Sequence, residues 1–298
     1  MSFRIVQSKQ NPRLKQLRRA LHQSLREPGD GGRILAGIEG PKLLEEALRA
    51  RLRIECVFVA EGSRHLLDGM NFSPETEVIL MAKELLASAL ATEAPQPIAA
   101  LVEPPDWVWR DLLAGAVDGR SDAEPLLLVL AGLQDPGNLG TILRSAEAFG
   151  ASGVICLPGT VSAWNPKAVR ASAGSVFRLP LLSVGVGECF TQLREAGVKL
   201  WTTAVQAAEP VDLVDLVGPV ALLIGNEGNG VPLELAAKAD GTLTIPCPGP
   251  VESLNASVAS SVLLYEAARQ RSVGNVVSHP SQKTRKMGHG EFSAGGKQ

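Results

Sequence analysis

The 298-residue sequence predicts an α/β protein, with a small α/β domain in front and a larger domain built on a parallel sheet behind it. Three observations carry that prediction. From Leu126 onward, short apolar runs alternate with segments of helical period. The runs LLLVLA (126–131), GVICL (153–157), VKLWTTAV (198–205), VALLIG (220–225) and TLTIP (242–246) are largely continuous rather than alternating, as strands covered on both faces require. Between residues 95 and 125, Pro95, Pro97, Pro104, Pro105 and Pro125 break every regular pattern and mark a boundary. The expected division is a front domain over 1–105, a linker over 106–125, the sheet domain over 126–271, and a disordered tail over 272–298 that lacks periodicity.

The front domain opens on a basic stretch that reads as a helix, interrupted at Gly29–Gly32. Residues 1–26 hold seven Lys or Arg and no acid, which leaves the rest of the chain at a net −9 although the whole carries only −2. A basic arm on an acidic body is an electrostatic footprint for phosphate, with Arg13, Lys15, Arg18 and Arg19 as candidates; a solvated helix face explains the same charges equally well. After ILAGIEG comes a helix near 41–50, begun by a first-turn proline, with Leu43, Leu44, Ala47 and Leu48 on one face. Strands follow at 56–60 and 78–82, then a helix at 83–90. Trp107 and Trp109 fall in the boundary, at a spacing that suits an edge strand better than a base-stacking platform.

In the sheet domain a helix at 139–149 places Leu139, Ile142, Leu143, Ala146 and Phe149 on one face and is closed by Gly150. Further helices are expected at 166–174, 187–196, 232–239 and 254–271; the last carries Leu254, Val258, Val262, Tyr265 and Ala268 on one face.

Several classes are disfavoured. No apolar run is long enough to cross a bilayer, and the opening MSFRIVQSKQ has no apolar segment behind its charges, so a cytoplasmic protein is expected. The four cysteines are scattered, and no histidine lies at ligand spacing to them, so no metal is expected; Cys56 and Cys156 read as core fillers. A P-loop is absent, and G-x-x-G-x-G at 225–230 is not the dinucleotide fingerprint.

Three loops follow strands of the sheet domain, where open parallel sheets gather their ligands. In LQDPGNLGTILRSAEAFG (133–150), a Pro-Gly turn opens a helix whose N–H groups face that edge. Asn138 sits at or beside the N-cap, and Arg144 lies away from the apolar stripe. This loop alone suits a phosphate-binding turn or a structural turn equally. In LLIGNEGNGVP (222–232), three glycines crowd a turn around Glu227, which otherwise reads as a helix N-terminal acid. In TIPCPGPVESLNASVASSVLLYEAARQR (244–271), prolines stiffen the path into a helix that Ser253 is suited to cap, leaving Asn255 with little local reason to be there.

In this order and spacing, the three loops resemble the three signature motifs of the SpoU/TrmH family, within the SPOUT methyltransferase superfamily. The match spans about 126–271, and the front segment resembles the family's substrate-binding domain through SKQNPRLKQLRRA, ILAGIEGPKLLEEAL and APQPIAALV. The resemblance implies a deep trefoil knot in the sheet domain, a homodimer through that domain, and binding of S-adenosylmethionine. It implies methyl transfer to a ribose 2'-hydroxyl of RNA, ribosomal rather than transfer RNA. The matched catalytic positions are Asn138, Arg144, Glu227, Ser253 and Asn255. The matched cofactor positions are Gly225, Ile245 and Leu254, with Thr203 and Ala204 at a neighbouring strand end. The alternatives are a base-nitrogen methyltransferase on the same scaffold and a non-catalytic RNA-binding protein.

Overall fold

The computed structural model describes residues 3–22, 25–26, 34–90, 92–115, 124–204, 208–251 and 253–277. The interruption expected at Gly29–Gly32 and most of the expected tail lie outside them.

The front domain contains β1 (Phe3–Val6), α1 (Pro12–His22), β2 (Leu25–Arg26), β3 (Ile34–Glu39), α2 (Pro41–Arg49), β4 (Ile54–Ala60), β5 (Glu77–Met81), α3 (Lys83–Ala87) and β6 (Ile98–Val102). Its sheet runs β1-β5-β4-β6-β3-β2, with β1, β5 and β4 mutually parallel and β6 antiparallel to both its neighbours. Leu14, Leu17, Ala20 and Leu21 of α1 bury against one face, on Phe58, Ile79, Met81 and Leu101. Leu43, Leu44 and Ala47 of α2 cover the other. Two expectations are corrected here. The basic stretch begins as a strand before it becomes a helix, and residues 98–102, assigned to the boundary, form a fully buried central strand.

The rear domain contains α4 (Trp109–Leu113), β7 (Leu126–Leu130), α5 (Pro136–Ala148), β8 (Gly153–Cys156), α6 (Pro166–Ser172), β9 (Leu181–Ser183), α7 (Val186–Glu195), β10 (Lys199–Thr203), β11 (Glu209–Pro210), β12 (Val220–Ile224), α8 (Leu233–Ala236), β13 (Gly241–Thr244) and α9 (Ala256–Val277). Its seven-stranded sheet has the order β11-β13-β10-β12-β7-β8-β9, and every pairing is parallel. β7 and β12 are buried along their whole length, which explains their unbroken apolar sequence. Cys56, Cys156 and Cys189 are buried, and burial pushes the Cys156 and Cys189 thiols up to about 12.

The expected linker is partly structured. Residues 109–113 form a helix rather than an edge strand, because Leu112 drops into the space left by Gly153, where a Cβ would sit 2.5 Å from the leucine Cγ. Trp109 is half-buried against the core beneath the sheet and donates its indole N–H to Glu188 at 2.9 Å. Close approach also defines the α5–α6 contact: a Cβ on Gly140 would lie 2.4 Å from the Ala168 carbonyl oxygen. α6 packs on β3, and one buried cluster runs from Leu44 and Val57 to Leu128 and Leu139, so the two domains share a core.

α9 starts two residues later and ends later than the sequence suggests, running past the expected tail start at 272 to Val277. Its buried side is Ser260, Leu263, Leu264 and Ala267; Val258, Val262 and Tyr265 lie on the exposed side. Near its end, Arg271 donates to four carbonyls, those of Leu216, Gly218, Glu124 and Pro125, at 2.5–3.1 Å. Burial lowers the pKa of this guanidinium, with the charge of Glu124 acting in the opposite direction. Arg271→Met strands those carbonyls and is expected to cost about 3 kcal/mol in denaturant unfolding; a loss below about 1 kcal/mol would mean that water satisfies them equally well.

Candidate active site

Because β13, β10, β12 and β7 are adjacent and parallel, their carboxyl ends open on one edge of the sheet. Thr203 and Ala204 end β10, Gly225 follows β12, Ile245 follows β13, and the loop after β7 leads into α5. Topology alone therefore gathers residues from three distant parts of the sequence.

The loop after β7 is pinned by Thr160, whose hydroxyl accepts the Gly132 N–H at 3.1 Å and donates to the Leu130 carbonyl at 2.9 Å. α5 is capped by Asp135, not by Asn138. The Asp135 carboxylate accepts the Asn138 N–H at 2.8 Å, with Pro136 in the first turn. That N–H, together with the Lys167 ammonium at 3.1 Å, holds the Asp135 carboxyl below the usual carboxylate range. The sequence carried this signal as Asp-Pro-Gly, a cap followed by a first-turn proline. With Asp135 capping, the Asn138 side chain is free for other partners.

The loop after β12 is a closed turn made by Asn226. Its Oδ1 accepts the N–H groups of Gly228 and Asn229 at 3.0 and 2.7 Å, and its backbone exchanges hydrogen bonds with Gly230. Gly225 is required at the base, since a Cβ there would fall 1.9 Å from the Gly230 carbonyl carbon. Glu227 is exposed at the turn, well before α8, so it is not a helix N-terminal acid.

α9 is capped by Asn255 rather than Ser253. The Asn255 Oδ1 accepts from the Ser257 N–H at 2.9 Å, the Val258 N–H at 3.4 Å and the Ser257 hydroxyl at 2.6 Å. Asn255 thus has the local reason that the sequence seemed to lack, while Ser253 stands exposed two residues earlier. Its amide still reaches outward: Nδ2 donates to Asn138 Oδ1 at 3.1 Å, and Asn138 Nδ2 donates to Glu227 Oε1 at 2.7 Å. One side-chain relay, Asn255 to Asn138 to Glu227, therefore joins all three loops. Arg144 is exposed two turns along α5 and makes no ion pair or side-chain hydrogen bond among the described residues.

Of the remaining expected positions, Ile245 and Leu254 are half-buried, and Ile245 packs on the core. The Thr203 hydroxyl donates to the Leu223 carbonyl, and the Ala204 N–H to that of Leu243. Among the described residues, no three His, Cys, Asp or Glu side chains gather where they could hold a metal ion.

A concavity of about 500 Å³ lies on the front domain and is lined by Arg4, Asn11, Pro12, Arg13, Lys15, Gln16 and Arg19. Lys15 and Arg19 are exposed. Arg13, also in the expected phosphate-binding set, spans Glu55 at 2.5 Å and Glu77 at 3.1 Å, so its charge braces α1 to β4 and β5. Arg18 leans on the Ser88 carbonyl at 3.3 Å.

Residues 125–265 match the SpoU rRNA Methylase family, and residues 11–100 match an MRM3-like substrate binding domain. The chain is 33% identical to the 23S rRNA (guanosine(2553)-2'-O)-methyltransferase RlmP of Bacillus subtilis, over 76% of this chain and 86% of that protein. It is 40% identical to the 23S rRNA (guanosine-2'-O-)-methyltransferase RlmB of Xanthomonas campestris, over 55% of this chain and 66% of that one. An AdoMet-bound rRNA methyltransferase from Sinorhizobium meliloti superposes with a TM-score of 0.77 at 29% identity, covering 90% of this chain and 98% of the other.

The double role of Asn255 is separable. Asn255→Ala removes the cap and is expected to cost about 1 kcal/mol in denaturant unfolding, whereas Asn255→Asp keeps the acceptor and should stay within about 0.5 kcal/mol of the parent. If the two variants lose equally, the stabilisation comes from the link to Asn138 and not from the cap.

Proposed function

The chain belongs to the SpoU rRNA methylase family, and from that premise we propose that it transfers the methyl group of S-adenosylmethionine to the 2'-hydroxyl of a ribose in ribosomal RNA. The observation that carries this reading is the relay joining Glu227, Asn138 and Asn255 at the carboxyl edge of the parallel sheet, with Arg144 exposed further along the same helix, α5, and unpaired among the described residues.

The strand ends suit the cofactor. Gly225 keeps the turn after β12 closed on the Gly230 backbone, and Ile245 and Leu254 supply apolar walls of the kind that a flat adenine needs. Gly225, Ile245, Leu254, Thr203 and Ala204 would hold it, chiefly through main-chain atoms. The trefoil knot that the family implies would bring these loops together around the cofactor. S-adenosylmethionine, when bound, supplies an electrophilic methyl on a positively charged sulfur. The protein's task is to align the ribose oxygen and to ease the loss of its proton.

Arg144 does not serve as a base, because guanidinium stays protonated in proteins. It holds the phosphate beside the target ribose and stabilises the oxygen as negative charge develops. Asn138 and Glu227 orient that arginine or the ribose, while Ser253 and Asn255 position the acceptor nucleotide. The front domain, residues 1–105, selects the RNA with Lys15 and Arg19 toward phosphate, and residues 126–271 carry out the transfer. A homodimer through the rear domain is supported by α9, where Val258, Val262 and Tyr265 are 48%, 37% and 55% exposed beside Phe149. Among the described residues no helix is long and apolar enough to cross a membrane, in keeping with a cytoplasmic site of action on RNA.

Methyl-labelled S-adenosylmethionine incubated with unmodified total RNA should leave label at an alkali-resistant linkage in ribosomal RNA. Label on a released base would overturn the reading in favour of a base-nitrogen enzyme, and no incorporation would favour a non-catalytic RNA-binding protein. Arg144→Lys should retain measurable transfer at neutral pH, and Arg144→Ala should lose it. Complete inactivity of the lysine variant with RNA binding intact would show that charge alone is not enough.

A further inference from the structure

Arg144 and Glu147 lie three residues apart on α5, a spacing that makes side chains neighbours on a helix. Among the described residues, Arg49 closes an ion pair with Glu46 at 2.6 Å and Arg269 with Glu266 at 2.7 Å at that spacing, in each case with the glutamate ahead of the arginine rather than after it. Arg144 does not. Its neighbour is taken: Arg178, just after α6, grips the Glu147 carboxylate with Nε at 2.6 Å and Nη2 at 3.0 Å. The remaining Arg178 nitrogen, Nη1, reaches Glu46 of α2 in the front domain at 2.6 Å. The grip holds the Glu147 carboxyl below its ordinary range, with a hydrogen bond from Ser175 adding to it, and raises the Arg178 guanidinium. Gly174, at a positive φ of 93°, brings this segment against Glu46, where a Cβ would stand 2.7 Å from the glutamate Cβ.

We infer that Arg178 is a positioning residue that keeps Arg144 available to RNA by holding Glu147 away from it. A two-pronged guanidinium grip fixes the carboxylate's direction as well as its charge, which a single ammonium contact does not. Released, Glu147 has Arg144 as its nearest cation along α5, and its negative charge stands next to the place where an RNA phosphate must approach. The inference rests on the reading of Arg144 as the phosphate-binding residue.

The test is a set of variants assayed for methyl transfer to RNA at two salt concentrations, with thermal unfolding measured alongside. Arg178→Ala should lower kcat/KM about five-fold, mostly through KM, with the loss narrowing in higher salt. Glu147→Gln should transfer methyl at the parent rate. The double variant Arg178→Ala/Glu147→Gln should recover to within about two-fold of the parent, since a neutral amide has no charge to hold away from Arg144. Glu46→Gln, which cuts only the tie to the front domain, should stay near the parent.

A double variant as poor as Arg178→Ala overturns the inference, as does an Arg178→Ala variant with parental activity. Loss of the same size in Glu46→Gln overturns it too, because domain docking would then explain the effect. If Arg178→Ala does not fold, Arg178→Lys is compared by nitrogen-15 NMR of the Arg144 side chain. A shifted, exchange-protected Nε–H in that variant supports pairing with Glu147, and an unchanged signal overturns it. Failure of the underlying reading shows up separately, as full activity in Arg144→Ala.

Discussion

The Asn138 side chain is the joint on which the candidate site depends. An amide is the one small side chain that donates from one end and accepts at the other, and Asn138 uses both, giving to Glu227 and taking from Asn255. Its freedom to do so is owed to Asp135, which assumes the capping duty at the start of α5. Three loops, the outer two 117 residues apart in sequence, thereby acquire a fixed relation through two hydrogen bonds, on an edge that parallel strand order had already prepared.

Much of this was legible in the sequence, for physical reasons that differ by element. β7 and β12 announced themselves because burial on both faces demands unbroken apolar runs, and α5 because its apolar residues recur at helical spacing. The three loops stood out because turns rich in glycine, proline and asparagine at strand ends are chemically unusual. Other features were hidden. β1 has exposed Arg4 and Ile5 in its middle and lies inside a basic run, so its four residues show no strand pattern. α9 carries two apolar stripes, and spacing alone does not say which of them faces the core. Arg13 illustrates the limit of counting charge: its partners Glu55 and Glu77 lie far along the chain, so a net positive segment gave no hint that this cation was committed. Asn255 has a local role that its sequence context does not reveal, the cap of α9, and the same residue also reaches the relay.

Arginine use divides along the same line. Arg13, Arg178 and Arg271 are bound to internal acceptors and do architectural work across strands, domains and chain ends. Arg144 stands apart on an exposed helix face, without an ion pair among the described residues. An always-charged group left unneutralised on the helix that begins at a polar relay is suited to an anionic ligand, and the glutamate one turn further on, Glu147, is occupied by Arg178.

The clasp formed by Arg271 has a consequence for how such a module is deployed. By gripping carbonyls just ahead of β7 and others between β11 and β12, it holds the exit of the transferase unit within one side chain's reach of its entrance. A unit whose two ends meet is closed on itself at that point, so its attachment to the front domain rests on the core they share and not on the connecting segment alone.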